Sequence, residues 1–211
     1  MANKIDAHVV GKYDLEQSVL SRTGRYSASI DGTVTYVTTP QVGFQGGKYW
    51  ANVDIVTNAI SIPPATINTP SGSIEFIFTY TNPNATPDVF IQITSTIATR
   101  HAELYVFGGS VYYFSNNPAT PYNSNTGFSV SPDTVYYARM TWDTTNIYVW
   151  LSTSPNLPAT PTATFDSPRF DTATLLGLRL PATVVQGLVG PTNKYDNIVV
   201  SNVSRTIFPT L

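Results

Sequence analysis

A chain of 211 residues with only 11% Asp, Glu, Lys and Arg and a net charge of −2 must build its polar surface from Thr, Ser and Asn, since ordinary soluble domains carry roughly 25% charged residues. The balance argues against nucleic acid as a main partner, because phosphate binding needs clustered Lys and Arg. The absence of Cys excludes disulfides, thiol catalysis and thiolate metal sites.

In chain order, the opening MANKIDAHVVGKYDLEQ lacks the long apolar core of an export signal. DLEQSVLSR (14–22) is the one segment with helical residue types. TVTYV (33–37) then reads as a strand, and residues 1–42 read as an N-terminal extension or added strands. The body, 43–211, continues with KYWANVDIV (48–56), SIEFIFTYT (73–81), VFIQIT (89–94), AELYVF (102–107) and SVYYFS (110–115). VYYARMTW (135–142), NIYVWLS (146–152), LLGLRL (175–180), QGLVG (186–190) and YDNIVVSN (195–202) follow. All are rich in β-branched and aromatic residues and bounded by Gly, Pro, Asn or Asp, which marks strands. The Pro-rich stretches 116–123 and 153–169 read as surface loops. No apolar run reaches the roughly 20 residues of a membrane-spanning helix, so no membrane insertion is expected. Many short strands without alternating helices predict one compact all-β domain, a two-sheet antiparallel β-sandwich or jelly roll.

Two hairpins carry the clearest patterning. AELYVFGGSVYYF turns at Gly108-Gly109, which supply the positive φ of a tight hairpin. Its register puts Leu104, Val106, Val111 and Tyr113 on one face, and Glu103, Tyr105, Tyr112 and Phe114 on the other. In VYYARMTWDTTNIYVWLS, pairing Trp142 with Ile147 sets Met140 against Val149 and Ala138 against Leu151. The opposite face then holds Tyr137, Arg139, Thr141, Tyr148 and Trp150, with Arg139 across from Trp150, an arrangement worth a few tenths to about 1 kcal/mol. Met140, Val149, Leu151, Ile198 and Val200 are the expected core.

Four segments carry a family resemblance. GFQGGKYWANVD (43–54), SGSIEFIFTYT (71–81), YYARMTWDTTNIYVWLS and KYDNIVVSN (194–202) resemble, in that order, segments of the laminin-G/concanavalin A-like lectin and glucanase jelly rolls. The resemblance implies a concanavalin A-like jelly roll from about Gly43 onward. One departure is Ser152-Thr153-Ser154-Pro155, which stands where the family has an Asp/Asn-Gly turn, so the loop 153–169 is expected to replace that connection.

Fold is not function, and the sites must be read separately. The hydrolases of this superfamily alternate two or three carboxylates along one strand, because glycoside cleavage needs a pair of them. Here Glu75 stands alone on SIEFIFTYT, and no other strand places two carboxylates at i and i+2. His8 and His101 have no ligand spacing, and no nucleophile, phosphate-loop or zinc motif is present. No catalytic residue and no enzyme activity are therefore expected. The resemblance places Asp196 where jelly-roll modules hold Ca2+, an ion that needs about six to eight oxygens. Asp6, Asp14 and Asp31 are the only helpers in view, so the favoured expectation is a backbone hydrogen bond at Asp196 and no cofactor.

Sugar rings present apolar C–H faces and hydroxyl edges, so a glycan site pairs flat aromatics with a few polar groups. Glu103, Tyr105, Tyr112, Arg139 and Trp150 supply that mixture, expected on one outer face. The alternative is that loops or a second copy cover these aromatics, since interface cores favour aromatics and exclude charge. The charge-poor composition resembles that of extracellular proteins, yet no export signal is visible. A bacteriophage virion reconciles the two, and phages carry laminin-G-like domains on capsids and tail fibres. The expected function is a non-enzymatic virion surface protein, a capsid decoration or fibre/adhesion component. Its partners would be other virion proteins, its own copies or cell-surface glycans. The alternative is an extracellular carbohydrate-binding module or lectin of cellular origin, with a glycan-degrading enzyme third.

Overall fold

A computed structural model describes residues 9–13, 15, 26–37, 50–53, 59–64, 70–79, 88–95, 102–115, 122–166, 175–181 and 193–202. Among them run fifteen strands: β1 (Val9–Tyr13), β2 (Ser29–Asp31), β3 (Val34–Val37), β4 (Trp50–Val53), β5 (Ala59–Ile62), β6 (Gly72–Thr79), β7 (Asp88–Ser95) and β8 (Ala102–Phe107). β9 (Ser110–Ser115), β10 (Tyr122–Ser129), β11 (Val135–Trp142), β12 (Asn146–Ser152), β13 (Ala163–Asp166), β14 (Leu175–Pro181) and β15 (Asn193–Ser201) complete the set. The first sheet has the order β13-β12-β11-β6-β15-β4-β3, with β1 also paired to β15; the second has the order β10-β9-β8-β7-β14-β5-β2. The strand pairings are antiparallel. This is the two-sheet antiparallel sandwich that the alternation implies.

The core lies between the sheets and is built from the inward half of each alternation. Phe76 and Phe78 of β6 meet Phe90 of β7, with Phe78 and Phe90 stacked at 4.5 Å. Tyr113 of β9 stacks on Phe165 of β13 at 4.7 Å, so aromatic pairs tie the sheets together at two places. Such pairs add about 0.5–1.5 kcal/mol each beyond area burial. Tyr195 of β15 also crosses the sandwich, donating its hydroxyl to the Phe90 carbonyl at 3.1 Å. Met140, Val149, Leu151, Ile198 and Val200 are all buried in this core.

Both hairpin registers agree with the alternation: Arg139 faces Trp150, Met140 faces Val149 and Trp142 faces Ile147, while Tyr105 faces Tyr112 and Leu104 faces Tyr113. The loops differ from expectation. β10 begins inside the stretch 116–123 and β13 lies inside 153–169. The strand YNSNTGFS is polar because it sits at the sheet edge, where one side meets solvent. β1, β2 and β5 are short strands that sequence pattern did not single out; β1, β2 and β3 of the first 42 residues pair with β15, β5 and β4 respectively. The segment 186–190 and all of 14–22 except Leu15 lie outside the described residues. Leu15 is buried with φ of 56°, which is not a right-handed helical conformation. Among the described residues, no helix is long and apolar enough to cross a membrane.

Candidate functional site

The two hairpins belong to opposite sheets, and this corrects one expectation. β11–β12 joins the first sheet through β6, whereas β8–β9 joins the second through β7. Their outer faces therefore look in opposite directions. Glu103, Tyr105 and Tyr112 lie on one side of the molecule, Arg139 and Trp150 on the other, so the five residues do not form one face. The register inside each hairpin is a local matter, but the sheet each hairpin joins is set by pairing with distant strands.

On the second sheet, Tyr105 and Tyr112 stand opposite each other with rings stacked at 5.4 Å and 15°. Tyr105 is 8% exposed and forms the base, while Tyr112 is half-buried above it. Phe107, 44% exposed, sets its ring edge-on to Tyr112 at 6.4 Å. β10 frames this platform with amides. Tyr105 donates its hydroxyl to Asn123 Oδ1 at 2.9 Å, and Asn125, opposite Tyr112, accepts from the Gly127 backbone N–H at 2.7 Å. Each amide commits its oxygen internally, and both residues are exposed. Glu103, one row along on the same face, is 2% exposed, with Oε1 accepting from Gln92 Nε2 at 2.7 Å; this bond ties β7 to β8 beside the platform.

Sequence pattern did not single out Phe107, Asn123 or Asn125. The available signal was the i, i+2 spacing of the two Asn residues in YNSNTGFS, which puts both on one face of a strand.

On the first sheet the outer face is closed. Arg139 lies between Trp150 and Glu75 in one cross-strand row, its Cζ 5.5 Å from the Trp150 ring centroid and its Nη2 3.8 Å from Glu75 Oε1. Trp150 is 1% exposed and Arg139 6%, and Thr141, Ser73 and Ser201 of the adjacent row are fully buried. Among the described residues, Trp150 Nε1, Thr141 Oγ1 and Ser201 Oγ have no hydrogen-bond partner, a cost of about 1–3 kcal/mol each unless ordered water reaches them.

Asp196 lies on this same face, fully buried. Its Oδ1 accepts the Asn197 backbone N–H at 2.8 Å, at a register shift in β15 where Asn197 takes φ of 46°. Burial, with the Asp196 charge added, pushes the neighbouring Tyr137 hydroxyl up from its ordinary value. Asp31 belongs to the other sheet, bound to Ser61 and Arg179, while Asp6, Asp14, His8 and His101 lie outside the described residues. Among the described residues, no group of three or more His, Asp or Glu gathers to hold a metal. Sequence reasoning found no second carboxylate for Glu75. The structure puts Asp196 on the neighbouring strand, opposite Ile77 and two residues along from Glu75.

No family model matches the sequence, and no curated protein matches it. Solved structures do match. The binding domain of botulinum neurotoxin DC in complex with rat synaptotagmin II aligns with TM-score 0.66 and 10% identity over 96% of this chain and 50% of that one. A botulinum neurotoxin type C structure, described as entering cells through two ganglioside molecules, aligns with TM-score 0.65 and 10% identity over 94% and 48%. This chain thus spans about half the length of those binding domains. Domain 4 of AbnA, a GH43 extracellular arabinanase from Geobacillus stearothermophilus, was solved with arabinotriose. It aligns with TM-score 0.68 and 12% identity over 93% of each chain. At these identities the likeness speaks for architecture: the chain is a two-sheet jelly-roll sandwich like these domains.

Proposed function

We propose that this jelly roll is a non-enzymatic glycan-binding domain whose site is the aromatic platform on β8–β10. The observation that carries the reading is the stacked Tyr105–Tyr112 pair, with Phe107 exposed beside it and the Asn123 and Asn125 amides at its edge. Aromatic faces take the C–H side of a sugar, and amides take its hydroxyls. Support comes from the end-to-end likeness to a domain solved with arabinotriose. The finer reading, display of many copies on a bacteriophage virion surface, is our proposal from the sequence; the charge-poor composition is compatible with it and does not single it out.

The test is a glycan array probed with multimerised protein. Binding is expected, with Tyr112→Ala and Phe107→Ala each weakening it by up to about tenfold. Trp150→Phe, on the opposite sheet, should leave it unchanged. A multimer that binds no glycan, or platform variants that bind as well as the parent, would refute the platform. The enzyme alternative has its own observation, Glu75 and Asp196 on one face of β6 and β15. It is disfavoured because Asp196 is fully buried and the Glu75 carboxylate faces Arg139. Release of reducing ends from a polysaccharide, abolished by Glu75→Gln, would establish that alternative instead.

A further inference from the structure

The aromatic platform extends along its strands beyond the stacked pair. On β9, Ser110, Tyr112 and Phe114 alternate with the core residues Val111 and Tyr113, and all three are half-buried on the outer face. Opposite them on β10 stand Ser129, Asn125 and Asn123 in turn, each exposed. Three consecutive rows therefore share one layout, a half-buried centre beside an exposed neutral polar residue at the sheet edge. The span from the Ser110 row to the Phe114 row is about 14 Å of extended chain, more than one sugar ring covers. β10 keeps this layout through a built irregularity. Its register shifts between Asn125 and Ser129, where Gly127 takes φ of 78° and Thr126 turns inward to donate its hydroxyl to the Val111 carbonyl at 2.9 Å. The shift returns Ser129 to the outer face. Charge is withdrawn from these rows: Glu103, opposite Phe114, is buried and bound to Gln92, and neither Lys nor Arg occurs among the paired residues of β8, β9 and β10.

We propose that the platform takes a neutral oligosaccharide as an extended chain laid along β9, rather than a single terminal sugar. The inference rests on the glycan reading of the platform and adds the class and axis of its ligand. A site for one ring is shaped around one point, whereas here no row is set apart from its neighbours in exposure or in kind. Contact therefore grows with each ring added along the strand. Across the strands the face closes on one side, where Tyr105 and Glu103 are buried, and ends at the β10 edge on the other. The central ring lies at Tyr112, which Tyr105 holds from behind. The Asn125 amide serves that ring, and Asn123 and Ser129 serve the rings to either side. The amide oxygens are already engaged, so the amides act toward the sugar as N–H donors. Neutrality follows from the same rows. An acidic sugar would lose hydration of its carboxylate on a face that offers no cation in return, and a neutral one carries no such cost.

The test is an NMR titration of the isotope-labelled full chain with mono-, di-, tri- and tetrasaccharides of the cello, xylo and manno series, and with trigalacturonate as the acidic control. In at least one neutral series the dissociation constant should fall by about tenfold from mono- to trisaccharide and then level off. Monosaccharide shifts should centre on Tyr112 and Asn125, and trisaccharide shifts should reach both Asn123 and Ser129. Asn123→Asp keeps an acceptor for the Tyr105 hydroxyl and removes the amide N–H groups. It should reduce the gain from lengthening and leave the monosaccharide response as in the parent, which also shows that the variant folds. Shifts at Tyr112 and Asn125 that neither spread nor tighten with length would overturn the extended chain and leave the platform standing as a one-ring site. Shifts that spread toward Gln92 instead would overturn the axis. Trigalacturonate binding as tightly as the neutral trisaccharide would overturn the neutral class. No saturable shift in any of the three rows would overturn the inference and the platform together.

Discussion

Single residues show how closely the sandwich is packed. Gly72 stands opposite Trp142, and a Cβ there would overlap Trp142 Cζ2 and come within 3.0 Å of the Ser201 carbonyl oxygen. The indole occupies the space that any other residue at position 72 would fill. Gly72→Ala should therefore destabilise by about 1–3 kcal/mol through overpacking. Combining it with Trp142→Leu should cost less than the sum of the two, read from chemical denaturation midpoints. Tyr13 shows a titratable group in the core. Burial pushes its hydroxyl up to about 12 from 10.0, while it donates to the Tyr26 carbonyl at 2.9 Å. Because the folded-state value is the higher one, the stabilisation is fully present below pH 10 and is lost as pH rises from 10 toward about 12. Tyr13→Phe should be less stable at neutral pH by about 1 kcal/mol, the hydrogen bond. It should also show a shallower alkaline decline in denaturation midpoint.

At the scale of elements, the last strand shows how one chain serves two neighbours. β15 pairs along one edge with β6, and along the other first with β4 and then with β1. The change of partner coincides with the register shift between Asp196 and Val199, where the extra residue increases local twist. Asn197 absorbs it with φ of 46°, a conformation that Asn and Gly tolerate and β-branched residues do not. Asn197→Gly should stay close to the parent in stability, whereas Asn197→Val should lose about 1–2 kcal/mol in a denaturant titration. The same element holds Asp196 by its own backbone, with Oδ1 accepting the Asn197 N–H on the outer face of the sheet. The β11–β12 turn uses a related device. Asp143 Oδ1 accepts the backbone N–H groups of Thr145 and Asn146, each at 2.8 Å. Burial alone would raise this carboxyl, but these bonds, with those from the Thr145 and Tyr148 hydroxyls, hold it below its ordinary value.

For the whole molecule, the consequence of the sandwich is that its two outer faces differ. One is a closed polar layer around Arg139 and Trp150; the other carries the aromatic platform of Tyr105, Tyr112 and Phe107. A shallow site of this kind buries little area, so a monomer should bind a glycan weakly. Display of many copies should raise the apparent affinity by factors of about 10² to 10⁴, measured by comparing monomeric with multimerised protein on the same immobilised glycan. An equal response from both forms would refute surface display as the way this domain acts.

Period-2 alternation determined by itself that 135–152 and 102–115 are hairpins, their registers and which face of each enters the core, because neighbouring residues on a strand point to opposite sides whatever the partner. That is why Met140, Val149, Tyr105 and Tyr112 were legible in sequence. Short or polar strands such as β5, β10 and β13 were not, since an edge or a four-residue segment carries too little alternation to stand out from a loop. Only the tertiary structure decided that the two hairpins lie in opposite sheets, that Asp196 comes alongside Glu75, and that Ser29, Ser61 and Arg179 share a row. Each of those facts depends on pairing between strands far apart in the chain, and the energy that selects such pairings comes from burying both sheets' apolar faces together, which no local stretch of sequence encodes.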